Sequence, residues 1–353
     1  MSASLGLEEV EATLARYSRL TREAMDRHLA GRLPARHLYD LVRDYPSRAG
    51  KGLRPSLLLA TCQAFGGTVD EALGPAVAIE LAHNAFLVHD DIEDGSRQRR
   101  GRPTLHRLHG TPLAVNAGDA LAVLALEPLR DGLPLSGRVS RQVSEEFLGM
   151  LARTIEGQAT ELGWRADNVV DLSETDYLEL ITRKTCWYTC VWPLRVGALI
   201  GSAGTAPLEA MTRFGCYLGA AFQIRDDLLN LVGSEERYGK ELLGDLREGK
   251  RTLMLIHLLA AAEPGERRAL VAYLAAAAER QAGGDAVPAP AIGPGEVLDL
   301  MVRHGSLEFA FQFGQGVAAA AYDAFGVAFA GVPPSPPRDF VEAIVPYMLE
   351  RPA

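Results

Sequence analysis

The chain has 353 residues, 48% of them hydrophobic and 23% charged, with a formal net charge of -9. This balance supports a large core with little disorder, and the acidic excess argues against broad nucleic-acid binding, which needs a cationic surface to release counterions from phosphates. The cysteines Cys62, Cys186, Cys190 and Cys216 are too few for a disulfide scaffold and lack zinc-type pairing with histidines, so they read as buried thiols.

In chain order, the opening residues read as an amphipathic helix rather than a leader, and a cytoplasmic protein is expected. Apolar residues then recur at helical spacing in "VAIELAHNAFLVHDDIED", "LAVLALEPL", "DYLELITRKT" and "GCYLGAAFQIRDDLLNLV", while period-two runs are missing. The expected fold class is all-α. Breakers fall where helices should end: Gly66-Gly67, "GRP" at Gly101 to Pro103, Gly110, "RDGLPLSG" from Arg130 and "AGTAP" from Ala203. The Gly/Pro/Ala-rich stretch Gln281 to Gly295 reads as a flexible surface loop inside a single helical domain spanning 1–353. The apolar window Phe313 to Val332 is broken by Gln315 and Asp323, which suits a buried helix, and no membrane span is expected. "VPPSPPRDF" reads as a rigid spacer before a last helix.

Two acidic clusters end apolar helical runs. In "FLVHDDIEDG", Asp90 and Asp94 share a helix face, with Asp91 about 100° round the axis. In "FQIRDDLLN", Asp226 and Asp227 are followed at the next turn by the neutral Asn230. Like charges about 4 Å apart repel by about 4 kcal/mol at an effective dielectric near 20, so such groups need positive partners: a metal, arginines or bulk water. A single cluster could be a solvated helix end. Two that could face each other across a bundle call for divalent cations, and carboxylate oxygens without imidazole or thiolate suit Mg²⁺ bridging to phosphate. Arg97, Arg99, Arg100 and Arg102 follow the first cluster within a few residues on an expected loop, and "KGLRP" adds Lys51 and Arg54, while other segments add Lys184, Lys240 and Lys250. No phosphate-binding glycine loop or nucleophile motif is present. Metal, diphosphate and an apolar helical interior together suit a long hydrocarbon with a diphosphate head.

At this point the sequence resembles the trans-isoprenyl diphosphate synthases, the polyprenyl synthetase family, from about Gly50 to Leu259. "GKGLRP", "LVHDDIEDGSRQRRGRPTLH", "AVNAGDAL", "EGQATEL", "RKT", "AFQIRDDLLNLVG" and "YGKELLGDLREGKRTL" stand in the family's order. The resemblance implies an antiparallel helical bundle around a deep central cavity, usually a homodimer. It implies that Asp90, Asp91, Asp94, Asp226 and Asp227 hold Mg²⁺ on an allylic diphosphate of C5, C10 or C15. Arg99, Lys184 and Lys240 would grip the same diphosphate, with Lys250 close by. Isopentenyl diphosphate would bind Lys51, Arg54, His83 and Arg100, and Thr185 and Gln223 would face the developing allylic cation.

Several positions depart from the family pattern. Gly52 replaces an arginine often seen after the first lysine, Asn230 replaces the final acid of the second cluster, and "KTC" stands where "KTG" is frequent. Chain length is expected to turn on Ala85 and Phe86, five and four residues before Asp90; the small Ala85 lets the chain pass and points to a C20 product, geranylgeranyl diphosphate. A class I terpene cyclase would normally carry an Asn/Ser/Glu metal motif where "RDDLLNLVGSEE" stands, and would not need Lys51, Arg54 and His83. A non-catalytic partner subunit would have lost acids, whereas five of the six cluster positions remain acidic.

Overall fold

The computed structural model describes residues 5–48, 50–130, 133–233, 242–281 and 290–350. Helices dominate it, and the strands among the described residues are the pairs Gln98–Arg99 and Arg102–Pro103. The long helices are Leu7–Leu29, Val69–Glu93, Gly137–Ala166, Leu208–Val232 and Ser306–Ala328. Shorter ones, Leu53–Ala64, Thr111–Leu124, Trp192–Gly201, Leu253–Ala261 and Pro336–Glu350, pack between or against them.

The first acidic helix, Val69–Glu93, begins where Thr68 makes a capping box: the Glu71 N–H donates to Thr68 Oγ1 (3.3 Å), and the Thr68 N–H donates to the Glu71 carboxylate (2.8 Å). It stops at Asp94, and Gly95 follows at φ +65°. All three acids of the first cluster therefore lie in or just past the last turn.

The expected helix over "DYLELITRKT" is regular only to Ile181. From Thr182 to Val191 the chain winds as a π-helix before resuming as Trp192–Gly201. Such wide turns concentrate at functional sites because they rotate side chains out of α-helical register. Two glycines let neighbouring helices close on this segment: a Cβ at Gly157 would meet the Lys184 backbone N at 2.4 Å, and one at Gly219 would meet the Cys186 Cα at 2.8 Å.

The stretch "RQRRGRP" is a small antiparallel hairpin rather than the expected loop, with Arg99 opposite Arg102. Its two central residues, Arg100 and Gly101, both have positive φ (53° and 72°), the backbone demanded by a two-residue turn whose twist matches the strands. The sequence lacked the usual Asn-Gly signal.

One hydrophobic core joins the N-terminal helices to Trp192–Gly201 and the last helix; a second gathers Leu253–Leu259 with Tyr273 and Met301. Leu208–Val232 contributes to both. The window read as a buried helix packs inward through Ala318, Ala321, Ala324 and Phe325. Among the described residues one stretch, Thr111–Arg130, is long and apolar enough to cross a membrane, with 39% of its window buried in the fold. Of the stretch read as a loop, Gln281 closes one helix and Pro294 and Gly295 open the next, and 282–289 lie outside the described residues. The proline-rich spacer is likewise shorter, because Pro336 and Pro337 enter the last helix, where missing N–H groups cost nothing.

Candidate active site

The first cluster does not present three acids to one point. Asp91, 0% exposed, turns away from its neighbours, accepts the Tyr45 hydroxyl at 2.5 Å and pairs with the Arg99 guanidinium (Nε to Oδ1 2.9 Å). Asp90 lies 3.4 Å from Arg99 and 3.8 Å from Lys184. Asp94 is held by Arg165 (2.7 Å) and Lys250 (2.9 Å). The positive partners demanded by the sequence are thus arginines and lysines brought from elsewhere in the chain. Burial pushes the Asp94 carboxyl up, but Lys250, Lys184 and Arg165 outweigh it and hold the group well below its ordinary range. Asp90 is lowered too: burial and Asp94 oppose ionisation, and Lys184, Lys250 and Arg99 prevail.

In the second cluster, Asp227 is buried and accepts the Tyr177 hydroxyl (2.8 Å) and the Gln223 amide (2.6 Å). Burial, with Asp245 and Asp226 nearby, raises its carboxyl well above the usual value. Asp226 is half-buried beside it. Asn230 does not serve as the cluster's third acid. Its Oδ1 accepts the Asp245 N–H (3.1 Å) and its carbonyl accepts that of Leu243 (2.9 Å), so it ties down the segment that carries Asp245.

The π-helical segment bridges the clusters. Lys184 donates to Glu161 at 2.5 Å and lies near Asp90; the next residue, Thr185, donates to Gln223 at 3.0 Å, and Gln223 reaches Asp227. Lys250 joins from the far side, with Glu248 at 2.8 Å and Asp245 at 3.6 Å. Burial, with Asp94 and Asp245 near, pushes the Glu248 carboxyl up to about 8 despite Lys250. Lys240 lies outside the described residues.

Among the described residues no three His, Cys, Asp or Glu side chains converge to hold a cation. The donors on offer are all carboxylate oxygens, which fits a hard cation that keeps several waters and shares a phosphate rather than a closed protein cage.

A second cationic group forms beside Tyr188. Arg54 lies over that ring at 4.4 Å and donates to Thr189 (2.9 Å), and the His83 ring is 5.9 Å from Tyr188. The Arg100 guanidinium rests against Gly50, where a Cβ would come within 2.7 Å of Nη2. The Lys51 ammonium lies 5.7 Å from the Tyr347 ring of the last helix. Phe86 packs edge-on against Tyr188 at 5.5 Å, on the face of Asp90, whereas Ala85 is 1% exposed within the main core.

Sequence reasoning missed Tyr45, Tyr177, Glu161, Arg165 and Glu248. Glu161 stood inside "EGQATEL" and Glu248 inside "REGK", but the aromatic and Arg165 partners lie 46 to 71 positions from the acids they serve and carry no local signal.

A family model described as polyprenyl synthetase matches residues 35–287. A geranylgeranyl diphosphate synthase of Saccharolobus solfataricus is 37% identical over 64% of this chain and 67% of its own. The crystal structure of a geranylgeranyl pyrophosphate synthetase from Pyrococcus horikoshii superposes with a TM-score of 0.83 at 30% identity, covering 98% of this chain and 99% of that one. A geranylgeranyl pyrophosphate synthase from Corynebacterium glutamicum, complexed with isoprenyl diphosphate and magnesium, gives 0.80 at 26% identity over 98% and 100%. The architecture is the isoprenoid synthase fold.

Proposed function

Because the chain belongs to the polyprenyl synthetase family and is a trans-prenyltransferase, we propose that it condenses isopentenyl diphosphate with an allylic diphosphate of C5, C10 or C15 to release C20 geranylgeranyl diphosphate. The observation that carries this reading is that adjacent residues of one π-helical segment reach both acidic helices, Lys184 toward Asp90 and Thr185 through Gln223 toward Asp227.

In this reading Asp90, Asp91, Asp94, Asp226 and Asp227 hold Mg²⁺, which when bound supplies charge to the departing diphosphate. Asp91 and Asp227 are oriented by tyrosines, so they act as much through placement as through ligation. Lys184, Lys250 and Arg99, now paired with carboxylates, exchange part of that pairing for diphosphate oxygens, with Lys240 assigned the same role. Thr185 and Gln223 turn oxygen atoms toward the carbon that becomes electron-poor. Arg54, His83, Arg100 and Lys51 fix isopentenyl diphosphate so that its double bond attacks that carbon. The proton lost from the new allyl unit passes to the released diphosphate, and no side-chain nucleophile is needed. The apolar surround keeps water from intercepting the cation.

The C20 length rests on Ala85, packed in the main core, putting no ring beside Phe86, and on the relatives named above. The same reading treats residues 1–353 as one helical domain acting in the cytoplasm as a homodimer. Leu148 and Ile155, 56% and 59% exposed on one face of the helix Gly137–Ala166, favour such pairing.

The test is purified protein with Mg²⁺ and isopentenyl diphosphate, given the C5, C10 and C15 allylic diphosphates separately, with dephosphorylated products sized by mass spectrometry. A single C20 alcohol is the expected result. A different length would discard the Ala85 argument and keep the chemistry, and no elongation from any primer would overturn the proposal.

A further inference from the structure

Gly52 stands where the family resemblance leads one to look for an arginine, and the structure explains why no side chain occupies that place. Its φ is +64°, and a Cβ there would lie 2.7 Å from both Cβ and Oγ of Ser18 on the first long helix, Leu7–Leu29. The N-terminal helix has closed over the position. One turn beyond Ser18 the same helix carries Arg22, whose Nη2 donates to Ser18 Oγ at 3.3 Å, its one hydrogen bond among the described residues and a long one.

Arg22 lines a small cleft together with Ser18, Gly50, Gly52 and Glu80. Burial raises the Glu80 carboxyl above its ordinary range and outweighs the opposing positive charges of Arg54, Arg100 and Arg22, and Arg100 bears on the cleft wall at Gly50. Arg54 keeps a buried Nε without a hydrogen-bond partner among the described residues. A buried guanidinium nitrogen with no acceptor beside it is what an anion-binding site looks like before its anion arrives. Arg22 lines the cleft itself, and Arg54 and Arg100 stand with it around Glu80.

We propose that Arg22 is a substrate-binding residue for isopentenyl diphosphate, supplied by the N-terminal helix in place of the side chain that Gly52 cannot carry. The inference rests on the assignment of Arg54 and Arg100 to that substrate. Glu80 stands within the field of all three guanidinium groups, and the diphosphate takes charge-assisted hydrogen bonds from them.

The test is steady-state kinetics of Arg22→Gln and Arg22→Lys beside the wild-type chain, varying isopentenyl diphosphate at saturating allylic substrate and then the reverse. Arg22→Gln should raise KM for isopentenyl diphosphate about tenfold, the worth of one charge-assisted hydrogen bond, leaving KM for the allylic substrate within about twofold. Arg22→Lys keeps the charge without the fork and should recover part of the loss. An unchanged isopentenyl KM in Arg22→Gln, or equal rises for both substrates, overturns the inference while wild-type turnover upholds the synthase reading; a wild-type chain that elongates nothing overturns both. If Arg22→Gln melts early, Arg22→Lys decides alone, because a purely structural arginine would leave its isopentenyl KM unchanged.

Discussion

Asp90 and Asp91 are sequence neighbours with different physical situations, and substitution should separate them. Asp91 is fully buried against Arg99 and Tyr45, so Asp91→Asn strands a buried guanidinium and should cost about 3 kcal/mol of stability in urea unfolding, with turnover lost as a consequence. Asp90 is 22% exposed and more loosely paired. Asp90→Asn should change stability by less than about 1 kcal/mol and cut turnover by about a hundredfold or more, since it removes charge facing the leaving group. Asp94 provides a pH test. Its folded-state carboxyl is held below the unfolded value, so its contribution is complete above about pH 3.9 and is lost as pH falls toward the folded value. Thermal unfolding from pH 7 to 2 should therefore show a shallower acid decline in Asp94→Asn, from a lower melting temperature at neutral pH.

The elements matter here through their irregularities. A regular helix over Thr182–Val191 would spread Lys184 and Thr185 differently around the axis; the wider winding lets one face the first acidic helix and the other face Gln223. The hairpin after the first acidic helix divides two of its arginines in the same way, with Arg99 turned under the acids and Arg100 set on the turn toward Gly50. Along Val69–Glu93, Phe86 lies one turn before Asp90 on the same face, against Tyr188, and in the proposed function it lies beside the growing chain. Phe86→Ala should lengthen the product beyond C20. Ala85→Phe should shorten it, at about 1–3 kcal/mol of stability because Ala85 is closely packed. Product sizing by mass spectrometry checks both, and unchanged lengths would move the chain-length wall elsewhere.

For the whole molecule, Leu148 and Ile155 expose two large apolar side chains two turns apart on one helix face. A twofold pairing would bury them against their own copies. Leu148→Glu with Ile155→Glu should convert the dimer to a monomer in light scattering after size exclusion; a wild-type chain that already runs as a monomer would remove the basis for that pairing.

What the sequence determined by itself was set by local spacing. The all-helical class, most helix ends, the two acidic clusters and the cations flanking the first of them follow from residues within one or two turns of each other. Which acid meets which cation was decided only by tertiary structure, because Asp94 takes partners 71 and 156 positions away and Asp227 is held by a tyrosine 50 positions upstream. The π winding at Lys184 and the positive φ at Arg100 likewise escaped the sequence, since packing against Gly157 and Gly219 and the twist of a two-residue turn overrule local preference there. Asn230 shows the same division. Its neutrality was plain in the sequence, but its role in tying down Leu243 and Asp245 exists only where the folded chain returns to meet it.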